Sequence, residues 1–430
     1  MERGTNHLGQ RTRNAGIDVE PSRQLGQGFG PDTSPLSCPN FGTCGGCVSL
    51  TTPYAPQREA LRQRVEEQLG PWLPRDGPPV SFTDRPAAPP RHDRTRILYP
   101  VQPHPQLGLT MGLFRRGTHT PVEIDACELQ HPALTELGAR ALPVLRRSGL
   151  RPYDETRHTG QVRAFSARLA PSTGELLLGI VTAEPRLDGA EALATALLAA
   201  ASGLPDAGGP AIVPVGLVHN IQTRRGNALV GAESHALSGR MTLQACSDGL
   251  LLRIGFASFY QLHRAVDRLL YDPAMQMLGD LQGARVIDGY GGVGCFALRA
   301  ARAGAARVML VEASRSACDD ARHNAAHNEL SVDVVEGAFS ADTCSELAAD
   351  VLVVDPSRAG LGEVGCSAVR SVAAPRVLYA SCGLPALRRD LERLPEYGVA
   401  EVRLADLFPH TGHVETLVLL HRRSGGFPPC

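Results

Sequence analysis

Residues 286–296 read VIDGYGGVGCF: an apolar run ends in Asp288, four glycines fall within the next six residues, and Cys295-Phe296 open a helical pattern. Gly289, Gly291, Gly292 and Gly294 let the backbone approach a ligand closely at the carboxyl end of a strand. Two further runs end the same way. RVMLVEAS (307–314) places Glu312 at a strand end, 24 residues after Asp288, and ADVLVVDPS (349–357) does so with Asp355. An acidic residue ~20 positions past a Gly-rich turn typically accepts hydrogen bonds from ribose hydroxyls. Three such acids at the carboxyl ends of parallel strands line one crevice and point to a nucleoside-type cofactor. On the turn alone, NAD remains open. The helical stretches 295–304 and 316–328 alternate with these strands and with RVLYASC (376–382), which predicts a parallel, doubly wound α/β sheet.

Upstream, the period changes. Short strands with turn signals fill about 94–240: RILYPVQ, LGLTMGLF, VRAFSARLA, ELLLGIVTA, GLVHNIQ and ALVGAES. They predict a mainly β domain, interrupted by helices near 133–148 and 188–202. Helices are also expected over YAPQREALRQRVEEQLG, where Leu61, Val65 and Leu69 recur every four residues, and over HRAVDRLLYDPAMQML (263–278). The organisation that follows is a disordered polar tail (1–33), a cysteine-cluster segment (34–50), a mainly β central domain (51–245), the α/β domain (246–423) and a tail (424–430).

The 430 residues carry a net charge of −1. All 43 basic residues are arginine, which excludes a Schiff-base or phosphate-loop lysine while suiting bidentate phosphate contacts. The opening MERGTNHLGQRTRN lacks the apolar core of a signal peptide, and no run reaches the ~20 residues of a membrane span. A cytoplasmic protein without a membrane partner is expected. Three of the 11 cysteines crowd into SCPNFGTCGGC (37–47). In such a compartment a cluster of this kind signals metal or catalysis rather than disulfides. Cys38, Cys44 and Cys47, with Cys127 of EIDACELQHP as a plausible fourth ligand, suit an iron–sulfur cluster or a structural zinc.

DGYGGVGCFAL, VEASRSACDDARHNAAHN, DPSRAGL, YASCGLPALRRDL and LFPHTGHVETLVLL occur in the order and spacing of the RNA 5-methyluridine (uracil-5) methyltransferase family, which the chain resembles over residues 38–423. The resemblance implies a Rossmann-like, S-adenosylmethionine-dependent methyltransferase domain. FASFYQLHRAVDRLLYD (256–272) is similar to the family's stretch whose glutamine binds the cofactor. By that match Gln261, Tyr290, Glu312 and Asp355 are cofactor contacts, alongside Asp288 of the Gly-rich turn. The Cys-x5-Cys-Gly-Gly-Cys pattern with a distant cysteine resembles the iron–sulfur members, which implies a 4Fe-4S cluster on Cys38, Cys44, Cys47 and Cys127, with zinc as runner-up. The chain departs from the family at His263, Gly291, Ser357 and Gly383-Leu384, where Asn, Cys, Pro and Asn-Pro are usual.

The chemistry this family performs needs two groups. Carbon 5 of uracil is too poor a nucleophile to attack a methyl sulfonium unaided. A thiolate adding to carbon 6 delivers negative charge to carbon 5, and a base later removes the carbon 5 proton. Cys382, where an apolar strand stops, fits the nucleophile; Glu415 in HTGHVETLVLL fits the base, with His410 and His413 nearby. Arg94, Arg96, Arg115, Arg116, Arg224 and Arg225, interleaved with Tyr99, Phe114 and His219, are expected to face RNA. The resemblance implies structured RNA as partner, ribosomal RNA rather than transfer RNA, and a monomer. A non-catalytic iron–sulfur RNA-binding paralogue is the alternative from another class. A cytosine-5 enzyme would want a second cysteine that DPSRAG lacks.

Overall fold

The structure, a computed structural model, describes residues 36–84, 89–261, 263–344 and 347–423. The tails expected over 1–33 and 424–430 lie outside the described residues. Helix α1 (Tyr54–Leu69) and the two-residue strand β1 (Ser81–Phe82) come first. The central region holds β2 (Arg96–His104), β3 (Gly108–Met111), β4 (Leu113–Phe114), β5 (Pro121–Val122), α2 (Pro132–Arg147), β6 (Val162–Ala170), β7 (Glu175–Thr182), α3 (Ala190–Ala200), β8 (Val213–Ile221) and β9 (Glu233–Gly239). Six of these strands form one sheet in the order β3-β2-β6-β7-β8-β9. Helices α2 and α3 seal one face through Leu134, Leu137, Leu145 and Leu197, which pack with Ile97, Phe165 and Leu178.

Of the stretch ALVGAES only the last two residues, Glu233 and Ser234, are strand. β9 starts only at Glu233, because Gly231 is pressed against Ile221, where a Cβ would lie 1.8 Å from the Ile221 carbonyl oxygen. The Asn220 amide satisfies the carbonyls of Gly231 and Glu233 instead. A hairpin not expected from the sequence follows, β10 (Thr242–Ser247) and β11 (Leu250–Gly255), so residue 246 falls inside a strand. Its turn is Asp248-Gly249, both at positive φ, a two-residue hairpin signal that the sequence carries openly.

The helix expected over 263–278 winds first as a π-turn (Asp267–Tyr271) and then as α4 (Asp272–Leu278). Pro273 has no N–H for the Leu269 carbonyl, which accepts the Thr83 hydroxyl instead (2.8 Å). Then come β12 (Arg285–Gly289), α5 (Cys295–Arg302), β13 (Arg307–Glu312), α6 (Arg315–His327), β14 (Asp333–Glu336), α7 (Ala341–Cys344), β15 (Val351–Val354), α8 (Gly362–Val372), β16 (Arg376–Ser381), α9 (Leu384–Glu392), β17 (Tyr397–Ala405) and β18 (Glu415–Arg422). The sheet order is β1-β17-β18-β16-β15-β12-β13-β14.

Strands β12 to β16 are parallel, as the doubly wound reading requires; β18 runs antiparallel between β16 and β17, so the complete sheet is mixed. Two segments from before the central sheet belong here: β1 extends the sheet edge beside β17, and α1 buries Leu61, Val65 and Leu69 in the same core as Tyr379 and Leu387. Between β12 and β15 the chain changes its direction of winding, the place where open α/β sheets bind ligands.

Candidate active site

Asp288, next to last in β12, is fully buried; its Oδ2 accepts the Ala297 N–H (2.9 Å) in the first turn of α5, while Oδ1 has no partner among the described residues. Tyr290 sits at φ 63, a conformation costly for a non-glycine residue, and its ring lies 5.4 Å from that of Phe339. Gly291 belongs here for want of space: a Cβ would lie 2.4 Å from the Leu310 side chain. Glu312 reaches back across this turn, accepting the Gly292 N–H (3.1 Å) and the Ser314 N–H (2.6 Å). Asp355 follows β15, and the Gln261 side chain hydrogen-bonds to it. Of the five residues expected to hold the cofactor, four thus lie at or just past the carboxyl ends of the neighbouring strands β12, β13 and β15, at the switch point, and Gln261 joins them through Asp355.

The ladder between β16 and β18 brings in the other two. Its antiparallel register runs from Arg376 opposite His421 to Ser381 opposite Thr416. One step further sets Cys382 opposite Glu415, which starts β18 and is 2% exposed. Sequence reading placed the two residues at separate strand ends; the register makes them neighbours.

Burial pushes the Cys382 thiol up to about 11, and the carboxyls of Glu415 and Asp355 push the same way. Arg358 opposes them by its charge and by a hydrogen bond to the thiol. Glu415 is itself held well above the usual carboxylate range by burial and by Asp355, again opposed by Arg358, and its Oε1 has no partner among the described residues. Burial raises Asp288 to about 8 and Asp355 to about 7. The crevice thus concentrates buried acids, and Arg358 is the cation that both Cys382 and Glu415 face. Unpaired acids of this kind fit a cationic ligand.

Nothing in the sequence singled out Arg358 beyond its place three residues after Asp355. The structure shows why Gly383 stands next to Cys382: a Cβ there would meet the Arg358 carbonyl oxygen at 2.5 Å. Beside Arg358 opens a cavity of about 350 Å³, lined also by Arg94, Arg96, Gln261, Phe408 and His413, with the turn Gly45–Val48 as one wall. His413 is exposed there. His410 is occupied structurally: its ring nitrogens bond Gln57 and the Pro90 carbonyl, and its own carbonyl accepts the N–H groups of Val48 and Ser49. Phe259, two residues before Gln261, is 60% exposed, an aromatic that the sequence reading passed over.

Cys38, Cys44, Cys47 and Cys127 line a single pocket together with Arg94. Cys44 sulfur accepts the Gly46 N–H (3.2 Å), and Cys127 sulfur accepts those of Leu129 and Gln130. Among the described residues no group of three or more His, Cys, Asp or Glu is arranged as a metal site. The donor set nevertheless fits one: four thiols that feel one another's charge, with amide N–H groups directed at two of them.

Of the residues expected to face RNA, Tyr99 and His219 are buried. The Tyr99 hydroxyl donates to Gln130 Oε1 (2.6 Å), and His219 bonds Thr182 (2.6 Å). Both point from the strands into packed layers, where the alternation along a strand sends every second side chain.

A family described as tRNA (Uracil-5-)-methyltransferase matches residues 340–423. A Gloeobacter violaceus protein described as an uncharacterized RNA methyltransferase is 30% identical over 391 residues, 90% of this chain and 82% of its own length. One of the same description from Halalkalibacterium halodurans is 28% identical over 418 residues, 93% and 88% of the two chains. The solved structure of the Pyrococcus abyssi tRNA (uracil-54, C5)-methyltransferase, in complex with S-adenosyl-L-homocysteine, superposes with a TM-score of 0.68 over 88% of this chain and 86% of that one. At 21% identity that likeness bears on the fold. No helix among the described residues is long and apolar enough to cross a membrane.

Proposed function

The chain belongs to the RNA (uracil-5-)-methyltransferase family, and on that premise we propose that it methylates carbon 5 of a uridine in ribosomal RNA, with Cys382 as nucleophile and Glu415 as base. The observation that carries the assignment is the β16/β18 register, which sets that thiol and that carboxyl side by side next to Asp355. S-Adenosylmethionine, held by Gln261, Asp288, Tyr290, Glu312 and Asp355, supplies an electrophilic methyl group. The Cys382 thiolate adds to carbon 6, and the pair of the 5,6 double bond moves onto carbon 5 and its carbonyl as an enolate. Carbon 5 would then bond the methyl carbon as the methyl–sulfonium bond breaks, leaving its electron pair on sulfur as a neutral thioether. Glu415 accepts the carbon 5 proton, the carbon 6–sulfur bond breaks, and double bond and thiolate are restored. A carboxylate held above its usual range is the stronger base for that last proton.

The choice of ribosomal RNA rests on the resemblance of the Cys38–Cys47 segment and Cys127 to the iron–sulfur members. Transfer RNA is the second reading, favoured by the description of the matching family and by that of the Pyrococcus abyssi enzyme. Mass-spectrometric mapping of 5-methyluridine separates the two. In a strain lacking the gene, the modification should vanish from one position of ribosomal RNA while transfer RNA keeps its own; loss from transfer RNA alone would establish the second reading.

Two outcomes follow in the isolated protein. Asp288 and Asp355 have folded-state values raised above their unfolded ones, so these two carboxyls contribute stability that is lost as pH rises between about 4 and 8. The depressed His131 and His263 oppose that loss below their unfolded values, so the loss should show in the ligand-free protein in the upper half of the window. A ligand with net positive charge favours the ionised acids, so S-adenosylmethionine should raise the melting temperature more at pH 8 than at pH 5.5. Equal shifts at both values would contradict this. Second, Gly383→Asn should force the Arg358 backbone away from Cys382. Displacement of a reacting group by ~1 Å costs on the order of 10²-fold in rate, so steady-state methyl transfer should drop by about that factor. Unchanged turnover would mean that the close approach is immaterial.

A further inference from the structure

On the far side of the cysteine turn, the central domain carries a groove of about 150 Å³ that the proposed chemistry does not use. One wall is the β4–β5 hairpin, where Phe114 and His119 stack with centroids 5.0 Å apart and planes 10° from parallel. The other wall is the loop after β8, with Gly226, Asn227 and Leu229. Tyr153 and Arg163 lie between them, the guanidinium 4.6 Å over the ring. Arg163 is 6% exposed and fixes the loop by donating to the carbonyls of Gln222 (2.8 Å), Arg224 (2.7 Å) and Gly226 (3.3 Å).

Three features define what such a groove accepts. Aromatic rings line it. The side-chain amides of Gln102 and Asn227, each a donor and an acceptor, make no hydrogen bond among the described residues and line the walls. Each wall also continues into two exposed arginines, Arg115 and Arg116 on the hairpin and Arg224 and Arg225 on the loop, none of which forms an ion pair among the described residues. The acid in the groove, Glu155, is engaged by His119 (2.9 Å). Apolar faces, free amide edges and uncompensated positive charge at both rims match an unpaired nucleobase with a phosphate on either side.

The groove is also tied to the active-site cavity. Gly45 N–H donates to the Phe114 carbonyl (2.8 Å), and the Arg116 guanidinium donates to the Cys47 carbonyl (2.9 Å). Gly45 and Cys47 wall the cavity that Gln261 and Arg358 line. A strand leaving that cavity over the turn meets this hairpin next.

We propose that the groove between Phe114 and Asn227 is a second nucleotide site, which binds an unpaired base of the RNA substrate outside the target pocket. This rests on the chain acting on RNA. The test is fluorescence anisotropy with a labelled 12-nucleotide single strand of mixed sequence and, separately, a blunt 12-base-pair RNA duplex. Stacking on one aromatic ring corresponds to ~5–100-fold in affinity. Phe114→Leu keeps the apolar volume and removes the ring; it should weaken the single strand by that factor and leave the duplex unchanged. Phe114→Tyr should restore single-strand binding. Arg224→Gln with Arg225→Gln should flatten the salt dependence by about one released counterion or more. Single-strand affinity equal to wild type in Phe114→Leu, or an equal loss for the duplex, overturns the proposal. Trapping of Cys382 by 5-fluorouridine RNA reads the chemistry independently. An adduct without any effect at Phe114 removes the groove and keeps the methyltransferase reading; a Phe114 effect without an adduct does the opposite.

Discussion

Glu415→Gln should leave the protein covalently joined to methylated RNA, and Cys382→Ala should abolish both methylation and linkage. Glutamine keeps the shape of the side chain at the start of β18 but cannot accept the carbon 5 proton. Methyl transfer then still proceeds, while release stalls. A positioned base is worth ~10²–10⁴-fold in rate, enough for the stalled adduct to persist on a denaturing gel. Alanine at 382 removes the atom that adds to carbon 6, so no enolate forms. The alanine variant should also fold normally, since Cys382 is only half-buried and lies just past the end of β16. Near wild-type methylation by Cys382→Ala, or normal turnover by Glu415→Gln, would show that the thiol beyond the strand is merely packed there.

The second large effect concerns the four cysteines. Protein purified without oxygen is expected to be brown and to hold ~4 irons per chain, the content of a cluster on four thiolates. Cys127→Ser should release the iron. Because Cys127 lies in the loop after β5 while Cys38, Cys44 and Cys47 precede α1, a metal centre there would cross-link distant parts of the chain. Its loss should lower the melting temperature. It should also loosen Gly45–Val48, the wall of the active-site cavity, and reduce methyl transfer. Stoichiometric zinc in an iron-replete preparation would instead identify the site as structural zinc. No metal of either kind would remove the cross-link altogether.

Strand-end acids are legible in a sequence because a parallel strand buried on both faces is a continuous apolar run, and its last residue stands out when charged. Asp288, Glu312 and Asp355 announced themselves in this way. Cys382 and Glu415 were each legible by motif, whereas their adjacency was not: an antiparallel insertion of β18 between β16 and β17 leaves no local signal. Arg358 was missed for a related reason. Its influence comes from the fold bringing Gly383 against its backbone, and an arginine in a loop has no periodicity to betray it. The periodicity of α1 showed that one face is apolar but not which sheet covers it. The Asp248-Gly249 turn is different, since its signal was present and simply outweighed by the change of period around it. Tyr99 and His219 show the limit of composition: aromatic and basic residues interleaved along strands need the alternation of faces to sort surface from interior.

The most direct measurement is peptide mass spectrometry of the wild-type protein trapped on ribosomal RNA transcribed with 5-fluorouridine, in the presence of S-adenosylmethionine. Fluorine cannot leave carbon 5 as a cation, so release by Glu415 is blocked without any change to the protein. The expected result is one modified peptide, carrying a methylated fluorouridine nucleotide on Cys382. An adduct on any other residue, or methylated RNA without an adduct, would contradict the assignment of Cys382 and Glu415.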